Sequence, residues 1–247
     1  MNDFNVKFGI IGIDHRHVYT QAQFLVELGA ELAGWYTEGS PNTLAGFTKR
    51  FPKAKRFTDP RSLLEDPNIQ VILTSAIPSE RAKISIAAMN HGKDVMSDKP
   101  GCLSFSDLEE LRQTVQQTGR IWSVDFSERF EVPAVTLASQ LVSDGAIGDV
   151  IHTLGLGPHR MNAGSRPDWF FDPKRNGGIL ADIGSHQIDQ FLYFTQSKHA
   201  EITLASIRNM GHQDFLDFSD FGEIALRSEK ANGYIQTGLV YARCFAN

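Results

Sequence analysis

The first half of the chain repeats one pattern five times, and this limits its possible folds more than any other feature. Apolar runs at Val6 to Ile11, Glu31 to Tyr36, Val71 to Thr74, Asp94 to Ser97 and Ile121 to Val124 read as strands. Helical patterns over His17 to Leu28, Asn42 to Arg50, Ser62 to Glu65, Ser79 to His91 and Ser104 to Thr118 separate them. A strand that is apolar throughout, such as Val71–Thr74, belongs where both sheet faces are covered. Gly29, Gly92 and Gly119 stand just past three of the helices, and Ser104 and Ser106 are N-cap candidates. The alternation predicts an α/β fold: a Rossmann-type parallel sheet with helices on both faces.

The rhythm changes near residue 125. A helix over Pro133 to Asp144 precedes a strand at Val150 to Leu156, a loop rich in Pro, Gly and Arg, and a helix near Gly178 to Phe194. Strand patterns follow at Glu201 to Ile207, Gly222 to Leu226 and Gly233 to Tyr241. Strands gathered after a βα-rich half predict an α+β domain with an open, mostly antiparallel sheet. The expected domains are 1–125 and 126–247.

Composition removes several classes. With 41% hydrophobic residues and a formal charge of −5 over 247 residues, the chain is neither disordered nor basic, so no nucleic-acid partner is expected. Its two cysteines, Cys102 and Cys244, are too few for a disulfide scaffold and show no zinc spacing. No apolar stretch approaches the roughly 18 residues that span a bilayer, and the N-terminus shows no secretory signal. A cytoplasmic protein with reduced thiols and no membrane association is expected.

Three segments carry chemistry. The first strand runs into Gly12-Ile13-Asp14-His15-Arg16-His17, where a dinucleotide fold brings its backbone against a pyrophosphate. Only Gly12 stands at a glycine position of Gly-x-Gly-x-x-Gly; Asp14 and His17 hold the other two. Asp14 suits a helix N-cap, but its charge opposes a phosphate there; Arg16, or a protonated His15 or His17, would offset it. Solvated helix-start residues are the plainer reading of His15, Arg16 and His17. Thr37 and Glu38 end the second strand, where a ribose is held, and leave NAD or NADP open.

The second segment, Asp98-Lys99-Pro100, follows the fourth strand, at the sheet edge where ligands bind. A lysine there can stabilise charge on a substrate oxygen, and Pro100 both extends Lys99 and permits a cis bond. The third places Asp182, His186 and Asp189 at i, i+4 and i+7, one helix face. A carboxylate one turn from an imidazole orients it and raises its basicity, as a general base requires. A hydrogen-bonded structural histidine is the competing reading. Another is a metal-dependent hydrolase or isomerase built on His186, Asp182 and either His152 or His159.

Together these segments resemble the Gfo/Idh/MocA oxidoreductases. Asp98-Lys99-Pro100 is similar to the family's Glu-Lys-Pro, and Gly177 to Asp189 to its Gly-Gly-x-x-x-Asp-x-Gly-x-His-x-x-Asp signature. Ile77-Pro78-Ser79 resembles its Thr-Pro-Asn turn, Val124 to Phe130 the exit from its last Rossmann strand, and Gly148-Asp149-Val150 its entry to the second domain. The similarity runs to about Tyr234. The resemblance implies hydride transfer between NAD or NADP and a hydroxyl or carbonyl of a sugar, polyol or related small molecule. It implies Lys99, His186 and Asp182 as catalytic residues. For cofactor binding it implies Gly12, Ile13, Asp14, His15, Thr37, Glu38, Ile77, Pro78, Lys99 and Pro100. Arg129, His159, Arg160 and Trp169, with Asp182 and His186, would meet substrate, and the open sheet would make a homo-oligomer. Family members continue beyond the last residue here, so a shortened second domain is expected. That leaves as the alternative a nucleotide- or sugar-binding protein that keeps the fold without turnover.

Overall fold

In the computed structural model, which describes residues 6–239, β1 (Lys7–Ile11), β2 (Glu31–Tyr36), β3 (Val71–Thr74), β4 (Asp94–Asp98) and β5 (Trp122–Asp125) form one sheet. Its order is β2-β1-β3-β4-β5 and every pairing is parallel. The connections carry α1 (Val18–Glu27), α2 (Leu44–Arg50), α3 (Arg61–Leu64), α4 (Pro78–Asn90) and α5 (Phe105–Thr118). Both faces are covered. Phe8, Ile10 and Leu73 pack with Val18, Trp35 and Phe47, while Ile11, Ile72 and Val95 pack with Leu63, Met89 and Leu111. Each such side chain contributes about 1.5–3 kcal/mol, which is why β3 is apolar on both faces. The Ser104 hydroxyl accepts from Asp107 N at 3.0 Å and caps α5; Gly119, at φ +66°, ends it. The chain leaves β1 for β2 and then returns to β3 on β1's other side. Such a reversal opens a crevice at the carboxyl ends of the strands.

Contacts divide the chain into two units, 1–125 and 126–247. The second opens with α6 (Ser127–Phe130) and α7 (Pro133–Ser143), then β6 (His152–Pro158), α8 (Pro173–Asn176) and α9 (Ser185–Phe194). It closes with β7 (Glu201–Arg208), β8 (Phe221–Arg227) and β9 (Asn232–Gly238). The sheet order is β6-β9-β8-β7. Here β8 runs antiparallel to both β7 and β9, but β6 lies parallel to β9 over seven residues, so the sheet is mixed. Phe191 of α9 packs on Ile224, Leu226 and Ile235.

Two expectations change. The helix over Gly178 to Phe194 is not one α-helix: Leu180–Gly184 is a π turn that leads into α9. The four-residue α6 and α8 were not anticipated, being too short to show a 3.6-residue period. The end of the strand expected over Gly233 to Tyr241, and Cys244, lie outside the described residues. Among the described residues no helix is long and apolar enough to cross a membrane.

Candidate active site

In the first unit the loops after β1, β3 and β4 meet at one sheet edge. Gly12 takes φ +84°, and a Cβ there would lie 2.4 Å from Ala76 Cβ and 2.8 Å from Ala76 Cα. Only glycine fits. Its N–H donates to Tyr36 O at 2.8 Å, and its carbonyl accepts from Ser75 N at 3.1 Å. His15 N donates to Ser75 O at 2.8 Å, and the Thr43 hydroxyl donates to Ile13 O. The loop is thus pinned between β2 and β3. Asp14 does not cap α1: the N-cap residue is His17, with no side-chain cap bond. The turn over 14–17 displaces the helix start.

Asp98, wholly buried, is the hub of this edge. Its Oδ2 accepts from His15 Nδ1 at 2.7 Å and from Arg81 Nη2 at 3.0 Å. Its Oδ1 accepts from His17 Nδ1 at 2.9 Å, Lys99 N at 2.8 Å and Gln21 Nε2 at 3.4 Å. Gln21 also donates to Asp125 Oδ2 at 2.9 Å and accepts from the Ser75 hydroxyl at 2.6 Å. Burial opposes the Asp98 charge, but Arg81, with His17 and His15, outweighs it and holds the carboxyl well below its usual range. Burial lowers His15 to about 4, against the pull of Asp98. His15 is therefore neutral at pH 7 and does not supply the positive charge considered for it beside Asp14. Lys99 is buried, and the Lys99–Pro100 peptide is cis.

His15, His17 and Asp98 form the only group of three potential metal ligands among the described residues. The ring–carboxylate separations are those of hydrogen bonds, and Arg81 already balances the carboxylate. The metal group considered for His186, Asp182, His152 and His159 is not assembled.

The Gly12 cradle and Thr37 are the features that fit a dinucleotide. Thr37 follows β2, and its buried hydroxyl has no hydrogen-bond partner among the described residues. A ribose hydroxyl would satisfy it. Glu38 is exposed next to it, while Ile77 and Pro78 lead into α4 from β3.

In the second unit, Gly177 (φ +90°) and Gly178 (φ +77°) turn the chain from α8 into the π turn. Asp182 lies within that turn and is half-buried; His186 lies in the first turn of α9, 3% exposed, with its ring edge-on to Phe126 at 6.1 Å. Single π turns occur often at functional sites. Glycines let the π turn and α9 sit close to β6: a Cβ at Gly155 would lie 2.9 Å from Gln187 Cβ, and one at Gly157 2.9 Å from Ile183 Cγ2. Asp189 is taken by Arg129 in a bidentate pair at 2.5 and 2.9 Å. The Arg129 guanidinium also stands over Phe130 and Tyr193, 4.0 and 4.7 Å from their centroids. Arg129, expected at substrate, thus ties α6 to α9. His159 and Arg160 are exposed after β6, and Trp169 is buried beside Phe170.

Arg81 and Gln21 were missed. The buried positions of α4 are Pro78, Arg81, Ala82, Ser85, Ala88 and Met89, so the helical period itself places an arginine on the inward face. That was the available signal.

A parallel sheet with this glycine turn and a lysine at its carboxyl edge defines a dinucleotide-fold protein with an added mixed-sheet unit. Residues 6–126 match the oxidoreductase family with an NAD-binding Rossmann fold, and residues 135–244 match the GFO/IDH/MocA C-terminal domain. The chain belongs to the Gfo/Idh/MocA family, and the match runs past Tyr234, farther than the sequence resemblance did. It is 30% identical over 159 residues to levoglucosan dehydrogenase of Pseudarthrobacter phenanthrenivorans, covering 63% of this chain and 40% of that protein. It is 32% identical over 148 residues to scyllo-inositol 2-dehydrogenase (NAD(+)) of Bacillus subtilis, covering 60% of this chain and 41% of that one. The chain therefore spans about two fifths of the length of these relatives. A crystal structure from Erwinia carotovora atroseptica SCRI1043, described as a candidate oxidoreductase, superposes with TM-score 0.93 at 37% identity. That superposition covers 98% of this chain and 72% of the other.

Proposed function

We propose that the protein is an NAD(P)-dependent dehydrogenase or reductase acting on a hydroxyl/carbonyl pair of a sugar, inositol or related polyol. The observation that carries this reading is the edge where Gly12 leaves room for nothing but backbone while Lys99 stands at the end of β4. Gly12, Ile13, Asp14 and His15 would hold the pyrophosphate, Thr37 and Glu38 a ribose, and Ile77, Pro78 and Pro100 the nicotinamide end. The bound cofactor supplies the hydride acceptor or donor. The chain's own residues do the rest. Lys99 Nζ donates a hydrogen bond to the substrate oxygen and stabilises charge on it. His186 takes the hydroxyl proton in oxidation and returns it in reduction, and Asp182 orients the imidazole. His159, Arg160 and Trp169 border the polyol, and Arg129 supports that border through Asp189. We take the enzyme to be cytoplasmic, with no nucleic-acid partner. A homo-oligomer is supported by Leu154, Leu156 and Leu204, all exposed on one face of the second sheet.

Fluorescence titration with NADH and NADPH tests the first step: binding of at least one is expected, and binding of neither removes the reading. Among myo-inositol, scyllo-inositol and levoglucosan, turnover of at least one is expected. Lys99→Ala and His186→Ala should each lower kcat by about 10²–10⁴ while cofactor affinity stays within a few-fold. Unchanged kcat in either variant refutes the role given to that residue.

A further inference from the structure

We propose that Arg81 is a positioning residue that fixes Lys99, an inference that rests on the dehydrogenase reading for its catalytic meaning. Arg81 is 1% exposed, among the largest fully buried side chains of the described residues. A buried guanidinium is costly unless its donors are met. Here Nε donates to Ala76 O at 2.8 Å, Nη1 to Lys99 O at 2.5 Å and Pro100 O at 3.1 Å, and Nη2 to Asp98 Oδ2 at 3.0 Å. Three of the four acceptors belong to the consecutive residues Asp98, Lys99 and Pro100. Neutralising Asp98 would need Nη2 alone. Of the other bonds, one ties Ala76 O, one Pro100 O and one the carbonyl of the lysine itself, while Asp98 holds the lysine N–H at 2.8 Å. Asp98 and Arg81 are themselves paired, so both peptide planes flanking the Lys99 Cα are fixed by one clamp. A lysine at position 81 presents a point charge rather than a planar fork, and it cannot meet Asp98, the two carbonyls and Ala76 O together.

Lys93 provides an internal control. It is equally buried in the same unit, and its ammonium donates to Asp66 O at 2.5 Å and Ile69 O at 2.8 Å, with no contact to the clamp. Reductive methylation of the full chain, read residue by residue by peptide mass spectrometry, needs no substrate. In Arg81→Gln and the milder Arg81→Lys, methylation of Lys99 is expected to quicken at least tenfold while Lys93 keeps its wild-type rate. Unchanged Lys99 in a folded variant, or Lys93 and Lys99 quickening together, overturns the proposal; the second result marks a merely structural arginine. If Arg81→Gln does not fold, Arg81→Lys decides. On myo-inositol, scyllo-inositol or levoglucosan, kcat is expected to fall about 100-fold in Arg81→Lys, with NADH Kd within threefold and binding stoichiometry unchanged. A drop in stoichiometry without a drop in kcat per bound NADH counts against positioning. Failure of the wild type to bind NADH and NADPH sinks the dehydrogenase reading, while the methylation rates still judge the clamp.

Discussion

Among the described residues each unit holds one aspartate that is wholly buried, and the two are used differently. Asp220, in the second unit, accepts from Met210 N at 2.6 Å, Gly211 N at 2.9 Å and His212 Nδ1 at 2.7 Å, all within ten residues of itself. It shapes its own loop between β7 and β8. Asp98 takes its side-chain partners from His15, His17, Gln21 and Arg81, the first three more than 75 residues away. It joins the loop after β1, the starts of α1 and α4, and the end of β4. The same burial of a charge gives local turn structure in one unit and long-range cohesion of a candidate active site in the other.

The comparison can be broken most directly at Asp98. Asp98→Asn leaves Arg81 buried with a neutral partner, so a loss of about 3–5 kcal/mol is expected in urea unfolding. NADH affinity should fall with it, because the loop over 12–17 loses its anchor. Native-like stability in this variant would show that the hub is redundant.

The next effect is one of pH. His15 has its folded-state pKa lowered from 6.5 to about 4, so the fold favours the neutral ring. Its contribution is complete above pH 6.5 and is lost as pH falls toward 4, amounting to at most about 3 kcal/mol. Asp220 is also lowered: burial raises it, but its bonds to Met210, His212 and Gly211 outweigh that, so its contribution is lost only below about 3.8. Hydrogen exchange between pH 6.5 and 4, corrected for the fall of the intrinsic amide exchange rate with pH, should therefore quicken around residues 12–21 before residues 209–220, and His15→Asn should remove the difference. Equal quickening in wild type would reject the assignment.

The smallest effect is expected from Asp220→Asn, about 1–2 kcal/mol with NADH affinity unchanged, since its bonds are local. A change in NADH affinity in that variant would erase the distinction between the two aspartates.

Much of this was legible before the structure. The strand over Val71–Thr74 was read at its observed bounds because a doubly covered strand is apolar throughout and its flanks are polar. Helices closed by Gly29, Gly92 and Gly119 were read within a residue or two, since a left-handed glycine is a local signal. Parallel pairing of β6 with β9 was not legible, because it joins segments about 80 residues apart. The π turn escaped for another reason: one extra residue per turn hardly alters the hydrophobic period over so short a span. As candidates, Gly12 and Lys99 in the first unit and Asp182 and His186 in the second could be picked out from motif chemistry. The grip of Arg81 on Lys99 and of Arg129 on Asp189 could not, since a charged residue in sequence does not announce the carbonyl or carboxylate it will meet.

The two glycines of β6 have a consequence for how this chain tolerates change. At 155 and 157 the added carbon of any other residue would meet Gln187 Cβ or Ile183 Cγ2 at 2.9 Å, so these positions work as zero-thickness spacers under α9 and the π turn before it. A saturating library selected for folding alone should return glycine at both. Intolerance there records how closely a helix rests on a strand, and a mutational map of this protein would carry a steric seam that is easily mistaken for a catalytic one.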